Sequence, residues 1–166
     1  MTRTVYVALF IGPTGCGKTH MATTIYPDAY VKGADQWWEH YSGERQVVFD
    51  DFSGAASKIS VVHLLRMLDK FRMYVETKGA SEWFKAETIV LTTNIHPWNW
   101  YNFQDRMEQF LALARRFSEV RIWPQCARLT CGDTAPVVLS ETTDIQEFFE
   151  DPERWNYEKH PPGSKN

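Results

Sequence analysis

A glycine-rich segment, residues 12–19 (GPTGCGKT), directly follows an apolar and β-branched run over residues 4–11. Glycines at this spacing let the backbone curl so that consecutive N–H groups face inward at a helix start, an arrangement that binds phosphate oxygens. The preceding run is typical of a buried parallel strand, and the following residues can form a helix that Pro27 ends. The sequence therefore predicts a phosphate-binding loop between a strand and a helix, which is the context that this motif requires.

The residue types in this loop predict how it binds ATP and Mg²⁺. Lys18 is expected to reach the β- and γ-phosphates, and the Thr19 hydroxyl is expected to join the coordination shell of Mg²⁺. The rest of the loop is expected to surround the phosphates: Gly12, Pro13, Thr14, Gly15, Cys16 and Gly17. A glycine-rich turn without a ligand is the weaker interpretation, because the segment lies where a strand is predicted to lead into a helix.

Polar residues also end two of the later apolar runs. Asp50 and Asp51 follow the apolar run at residues 47–49, and Asn94 follows the run at residues 88–93. ATP hydrolysis needs a carboxylate for Mg²⁺ and a group that orients or deprotonates the attacking water. We assign Asp50 to the metal shell, Asp51 to water activation and Asn94 to holding the water. For each motif taken alone, an ordinary polar turn is the alternative.

Strand-like and helix-like segments alternate along most of the chain. Strands are predicted at residues 4–11, 29–31, 46–49, 88–93 and 119–123, and helices at residues 18–26, 59–71 and 103–114. This alternation predicts an α/β fold in which helices flank a parallel sheet. Residues 73–85, around Lys78 and Gly79, are predicted to form a β-hairpin.

The pattern is weaker beyond Pro124. Residues 137–139 are a candidate for a further strand. Thr143 and Gln146 have the spacing of a capping box, which predicts that a short helix begins there and continues through Phe149.

Length and composition predict one soluble, intracellular domain. The core is expected within residues 1–150, and the polar residues 151–166 are expected to form a flexible tail. The sequence has no signal-peptide pattern and no apolar run of the roughly 18 residues that a membrane span needs. The three cysteines, an odd number without metal-site spacing, are predicted to be reduced thiols: Cys16, Cys126 and Cys131.

Aromatic content and net charge limit the ways in which this chain can bind nucleic acid. Aromatic residues make up 14% of the chain, which predicts an aromatic-rich core before it predicts exposed stacking surfaces. For Trp37 and Trp38, core packing is favoured over stacking on DNA. The net charge of -3 argues against one broad basic face that coats nucleic acid, although it permits a local basic loop.

Four motifs, in this order, resemble the superfamily 3 helicase domain of replication initiator (Rep) proteins from circoviruses and related circular single-stranded DNA viruses. They are GPTGCGKT, QWWEHYSGERQVVFDDF, YVETKG and LTTN, and the resemblance covers about residues 5–123. It implies an AAA+-like P-loop fold with a five-stranded parallel sheet in the order 5-1-4-3-2 and a hairpin inserted before strand 4. It also implies a hexameric ring in the host nucleus, with ATP sites between subunits and 3′ to 5′ unwinding of DNA during rolling-circle replication.

The resemblance also assigns roles to individual residues. Asp50 and Asp51 match the Walker B acids, and Asn94 matches the sensor. Lys78 matches the basic residue of the pore hairpin that contacts single-stranded DNA, and Gly79 allows its tight tip.

Arginines before the last predicted strand are candidates for a finger that reaches a neighbour's ATP. Arg116 is the better match because it lies nearer that strand than Arg115 does. Arg106 ranks third because it lies too far upstream of that strand.

The endonuclease that precedes the helicase in related Rep proteins has no counterpart before the phosphate loop. The chain is therefore expected to be an excised helicase domain without nicking activity. Two other functions stay open at this stage. One is a P-loop kinase, and the other is an ATP-dependent assembly module that does not unwind DNA.

Overall fold

The computed structural model describes residues 5–33, 35–71, 73–123 and 135–154. In that part of the chain, strands and helices alternate as an α/β fold. They are β1 (Tyr6–Ile11), α1 (Lys18–Ile25), β2 (Tyr30–Lys32), β3 (Gln46–Phe49), α2 (Val61–Met67), β4 (Met73–Thr77), β5 (Ala80–Phe84), β6 (Thr88–Thr93), α3 (Met107–Ala114), β7 (Glu119–Ile122), β8 (Val137–Leu139) and α4 (Thr142–Glu150).

A six-stranded sheet forms the centre of the fold, in the order β2-β3-β6-β1-β7-β8. All pairs from β2 to β7 are parallel, and β1 lies between β6 and β7. Because a strand in this position is covered on both faces, its sequence is apolar almost throughout, and five of its six residues are buried. The mixed α/β class with a mainly parallel sheet is confirmed.

The sheet has one strand more than the five predicted, and the added strand is not parallel. β8 pairs antiparallel with β7 and forms the edge of the sheet. The strand is only three residues long, and its two valines, Val137 and Val138, are 58% and 48% exposed. A strand this short shows neither a long apolar run nor a clear alternation of apolar and polar residues, so its sequence signal is weak. The candidate strand at residues 137–139 is therefore confirmed, as an antiparallel edge strand. The five predicted strands are present and parallel, and, numbered without the hairpin strands, they lie in the order 5-1-4-3-2, with β8 added beside the fifth.

The predicted hairpin at residues 73–85 is confirmed as β4 and β5, which form their own two-stranded antiparallel sheet. Thr77 faces Ala80 across the last pair, so that Lys78 and Gly79 form the turn. One face of the hairpin is buried through residues of both strands: Met73, Val75 and Phe84.

Aromatic side chains fill much of the core. The ring of Trp38 is buried and lies 5.1–5.6 Å, centroid to centroid, from four other rings: Tyr30, Tyr41, Phe49 and Phe84. Such edge-to-face and offset arrangements are the favoured geometry for aromatic packing. The prediction that Trp38 serves the core is confirmed, whereas Trp37 is only half-buried.

Three helices begin at residues other than those predicted. Ser60 caps α2 by accepting a hydrogen bond from the N–H of His63, so that helix begins later than residue 59. α3 begins at Met107, because the preceding apolar Phe103 packs into the core from a loop. The capping box at Thr143 is wrong, because the chain is extended only as far as Glu141 and Thr143 already lies inside α4.

Candidate functional site

The phosphate loop lies between the end of β1 and the start of α1, and its glycines are needed for its shape. Gly15 and Gly17 have φ angles of 82° and 93°, in the left-handed region that other residues rarely adopt. At Gly12 a Cβ atom would lie 2.6 Å from the Cβ of Trp123 and 3.0 Å from the Sγ of Cys16. The loop therefore has the curled backbone that the motif predicts, closely packed against β7 at its first glycine.

Lys18 is held inside this loop. Its Nζ donates hydrogen bonds to the carbonyl oxygens of Gly12 and Pro13, both at 2.9 Å. Burial lowers the pKa of Lys18, while Cys16 and the carboxylates of Asp51 and Asp50 act in the opposite direction. The side chain thus lies where its charge would meet phosphate oxygens bound by the loop.

The loop also contains a cysteine, Cys16. It is buried, no residue in the described part of the chain forms a disulfide with it, and burial raises the pKa of its thiol. A raised pKa keeps the thiol protonated and unreactive at neutral pH. In the structure Cys16 is a free thiol, as predicted, while Cys126 and Cys131 lie outside the described residues.

Thr19 and Asp50 meet at the carboxyl edge of the sheet. The Thr19 Oγ1 donates a 2.6 Å hydrogen bond to Oδ1 of Asp50, which directly follows β3. The backbone N–H of Asp50 donates to the carbonyl oxygen of Lys32, which fixes the end of the strand. A hydroxyl and a carboxylate are the oxygen ligands that Mg²⁺ prefers, with phosphate oxygens and waters completing the shell. The pair therefore fits the magnesium role predicted for these two residues.

Asp51 turns away from the strand in an uncommon conformation. Its φ of 56° lies in the left-handed region, which costs a residue other than glycine about 1–3 kcal/mol. A 2.9 Å hydrogen bond from its N–H to the Oγ1 of Thr92 holds it there. The side chain of Asp51 is exposed, beside a half-buried Asp50, so the two adjacent acids have different surroundings.

Thr92 is a site residue that the sequence pattern did not reveal. Its Oγ1 accepts from the Asp51 N–H, lies 3.5 Å from Oγ1 of Thr19 and contacts the carbonyl oxygen of Phe49 at 3.4 Å. One buried hydroxyl on β6 thus links α1 to the end of β3. The sequence carries no signal that distinguishes it, because Thr92 is one of three threonines in β6.

Asn94 joins the same edge from the end of β6. Its Nδ2 donates a 3.3 Å hydrogen bond to the Oγ1 of Thr14 in the phosphate loop. We call this group the nucleotide edge: residues 12–19, Asp50, Asp51, Thr92 and Asn94. The structure therefore brings together the loop, the acidic pair and the strand-end amide that the sequence predicted as parts of one site.

The two arginines lie elsewhere, after α3. Arg115 caps the helix and is exposed. Arg116 donates from Nη2 to Oδ2 of Asp69 at 3.4 Å, in a half-buried ion pair. Within the described residues, no hydrogen bond or ion pair joins either arginine to the nucleotide edge. A finger acting on a neighbouring subunit stays a prediction for both.

Lys78 and Gly79 form the tip of the hairpin, apart from the nucleotide edge. Gly79 has a φ of 86°, and a Cβ placed there would meet no atom within 4 Å, so the left-handed turn and not crowding favours glycine. The Lys78 side chain is 65% exposed and forms a 2.7 Å ion pair with Oε1 of Glu39. This hydrogen bond and the negative charge of Glu39 raise the pKa of Lys78.

Comparison with known proteins shows a family to which this chain is similar. The family model described as RNA helicase matches residues 8–95, a range that contains the whole nucleotide edge and the hairpin. Across the described segments, no helix has the length and apolar character needed to cross a membrane.

Several viral proteins are similar to this chain. The replication-associated protein of Porcine circovirus 1 is 37% identical over 120 residues, which are 70% of this chain and 37% of that protein. The corresponding protein of Beak and feather disease virus is 35% identical over 117 residues, covering 70% of this chain and 38% of its own length. That of Human associated cyclovirus 1 is 31% identical over 106 residues, covering 60% and 37%. The chain thus spans little more than a third of the length of these relatives.

Proposed function

Because the chain belongs to the RNA helicase family, we propose that it supplies the ATP-driven helicase activity of a circovirus-type replication initiator. The observation that carries this proposal is the 2.6 Å contact between Thr19 and Asp50, with Thr92 and Asn94 beside it on the neighbouring strand. A binding loop alone would need only the glycines and Lys18. The acids and the amide around it are the groups that hydrolysis requires.

In the proposed reaction each group of the nucleotide edge has one task. The loop N–H groups and Lys18 bind the phosphates of ATP, and Thr19 with Asp50 would hold Mg²⁺. Magnesium, when bound, would neutralise charge on the β- and γ-phosphate oxygens. Asp51 orients the attacking water and accepts its proton, and Asn94 positions that water. The exposed carboxylate of Asp51 and the Asn94 bond to Thr14 support this division.

The hairpin is the proposed contact with single-stranded DNA. Lys78 lies at an exposed tip, where an ammonium group can bind phosphate without reading bases. We propose that a hexameric ring brings six copies of this tip into one channel, so that a chain with a net charge of -3 can still grip a strand. Translocation would run 3′ to 5′ during rolling-circle replication in the host nucleus, with residues 1–150 as the helicase domain.

A ring would also complete the ATP site. Arg116, or Arg115 beside it, would contact the nucleotide of the adjacent subunit and stabilise charge in the transition state. Arg116 forms an ion pair with Asp69 in the single chain, so it would have to exchange that partner for phosphate on assembly. Arg115 is exposed and could make the same contact directly.

The ATPase rate measured against protein concentration, with and without oligo(dT), tests this function. The rate per molecule should rise with concentration, because a neighbour completes the site, and should rise again when oligo(dT) is added. A constant rate per molecule would indicate that one chain holds the whole site, and it would contradict the proposal that an arginine of a neighbouring subunit contributes to it. No turnover without a small-molecule acceptor, but turnover with one, would favour a kinase instead.

A further inference from the structure

The turn that carries Asn94 is shaped by the buried hydroxyl of Thr93, the residue before it. The Thr93 Oγ1 accepts a 3.0 Å hydrogen bond from the N–H of Ile95 and donates at 3.1 Å to the carbonyl oxygen of the same residue. It also accepts a 3.3 Å hydrogen bond from the indole Nε1–H of Trp100. A hydroxyl has one hydrogen to donate and two lone pairs to accept with, so all of this capacity is used. The backbone on both sides of Asn94 is therefore held by one hydroxyl, and Trp100 is one of its partners.

Trp100 is itself held on several sides. It is only 2% exposed, and its ring lies 4.7 Å from the ring of Phe52 and 6.4 Å from that of Phe117, centroid to centroid. Its carbonyl oxygen accepts a 3.0 Å hydrogen bond from the N–H of Ala55. A Cβ atom on Gly54 would lie 2.2 Å from that oxygen, so only glycine allows the chain to approach Trp100 this closely. The direction of the indole N–H is therefore fixed by the surrounding packing.

The same contacts connect Trp100 to the segment that carries the acidic pair. Phe52 directly follows Asp51, and its N–H donates a 2.7 Å hydrogen bond to the carbonyl oxygen of Thr92. Trp100 thus contacts the segment after Asp51 with its ring, and the turn at Asn94 with its indole N–H. Core packing alone needs a ring here but no particular partner for the N–H. The partner that is present is the hydroxyl that shapes the Asn94 turn.

From these contacts we infer that Trp100 is a positioning residue for ATP hydrolysis, which holds Asn94 in a fixed place relative to Asp51. The inference rests on the roles proposed above for these two residues in handling the attacking water. Without the indole N–H, the Thr93 hydroxyl loses one of its three partners and the Asn94 turn becomes less rigid. Displacement of a group near the reacting atoms by about 1 Å can lower the rate by up to about 100-fold.

ATP turnover by Trp100→Phe tests this role, with phosphate release measured in the full chain in the presence of oligo(dT). The variant keeps a ring and the main-chain carbonyl group but lacks the indole N–H. We expect kcat to fall about tenfold while KM for ATP stays within about twofold of the wild type, because the phosphate loop is unchanged. Trp98→Phe is the matched control. It makes the same substitution at a half-buried ring two residues earlier, whose indole N–H has no hydrogen-bond partner among the described residues.

A double-mutant cycle with Asn94→Ala separates positioning from a loss of stability. If Trp100 acts through Asn94, Trp100→Phe should lower kcat by less than about twofold in the Asn94→Ala background, because the group that it positions is already absent. A smaller folded fraction would instead lower the rate by the same factor in both backgrounds.

Two substitutions of Thr93 test the same link without a change of the tryptophan. Thr93→Ser keeps the hydroxyl and should keep kcat within about twofold of the wild type, whereas Thr93→Val should lower it about tenfold. Denaturant unfolding of each variant shows whether it is folded under the assay conditions. The comparison at Thr93 decides the question if Trp100→Phe does not fold.

Other results would overturn the inference. One is a kcat for Trp100→Phe equal to that of Trp98→Phe, and another is a loss that persists undiminished in the Asn94→Ala background. A rise in KM without a fall in kcat would show that Trp100 supports ATP binding and not the placement of water. None of these results would alter the proposed ATPase function. If the wild type does not hydrolyse ATP at all, the proposed function fails, and the role of Trp100 fails with it.

Discussion

The nucleotide edge and the hairpin hold their functional groups in opposite ways. At the edge, Lys18, Thr19 and Asp50 are hydrogen-bonded within a half-buried site. At the hairpin, Lys78 and Tyr74 are largely exposed. A site for chemistry must be rigid, because small displacements of its groups cost rate. A surface that takes hold of a moving strand and releases it can be built from exposed side chains on a short, separate sheet.

The largest expected effect comes from Lys18→Ala, which should lower ATP turnover by about 100-fold or more, as loss of one group that stabilises transition-state charge commonly does. Lys58→Ala, at an exposed lysine outside both regions, is the matched control. Steady-state phosphate release measures the rate, and anisotropy measures oligo(dT) binding. If oligo(dT) affinity falls in parallel with turnover, the nucleotide edge and the hairpin do not act independently, which contradicts the division of tasks between them.

Glycine substitutions in the two regions should differ in size. Gly12→Ala should destabilise the fold by about 2–3 kcal/mol and impair ATP binding, because its Cβ would lie 2.6 Å from that of Trp123. Gly79→Ala meets no neighbour and should cost only about 1 kcal/mol for its positive φ, without an effect on ATP binding. Denaturant unfolding and nucleotide titration measure both. If the two substitutions lower the free energy of unfolding equally, the residues around Gly12 can shift to accommodate a Cβ atom.

Removal of the Thr92 hydroxyl should act on the chemistry more than on the fold. We expect Thr92→Val to lower ATP turnover about tenfold and stability by about 1 kcal/mol, because the N–H of Asp51 loses its acceptor. Thr88→Val, on the same strand, is the control. Turnover equal to that of the control would show that Asp51 needs no support from β6.

The smallest effect should come from the ion pair at the hairpin tip. Glu39→Gln removes the partner of Lys78 and should raise oligo(dT) affinity about twofold, since an exposed pair contributes roughly 0.2–1 kcal/mol. Glu82→Gln is the control, because it makes the same change of charge on the hairpin itself, at a residue of β5. An equal gain from Glu82→Gln would point to general repulsion of DNA, and only a larger gain from Glu39→Gln supports competition for Lys78.

The nucleotide edge was largely predictable because its motif constrains the backbone locally. Gly15 and Gly17 must adopt positive φ, and residues that follow parallel strands meet at one edge of the sheet. Thr92 was not predictable, since a threonine within a strand has no pattern that marks its hydroxyl as a link between segments. The pairing of Lys78 with Glu39 was missed for a similar reason, because it joins an exposed loop to a hairpin tip.

Elsewhere, apolar periodicity predicted which helices and strands exist better than it predicted the residues at which they begin and end. Phe103 is buried in a loop and not in α3, because a core accepts aromatic rings from any segment that reaches it. The antiparallel β8 was only a candidate, since exposed valines on an edge strand resemble a short loop in sequence.

The two outer strands of the central sheet bear on how copies of this domain can meet. β2 and β8 are each three residues long, so each edge offers few unpaired backbone groups to another chain. Extension of the sheet from one subunit into the next would therefore gain little. In the proposed ring, subunits would then recognise one another through side chains, and such contacts can be remade during a cycle of ATP hydrolysis without the loss of any strand pairing.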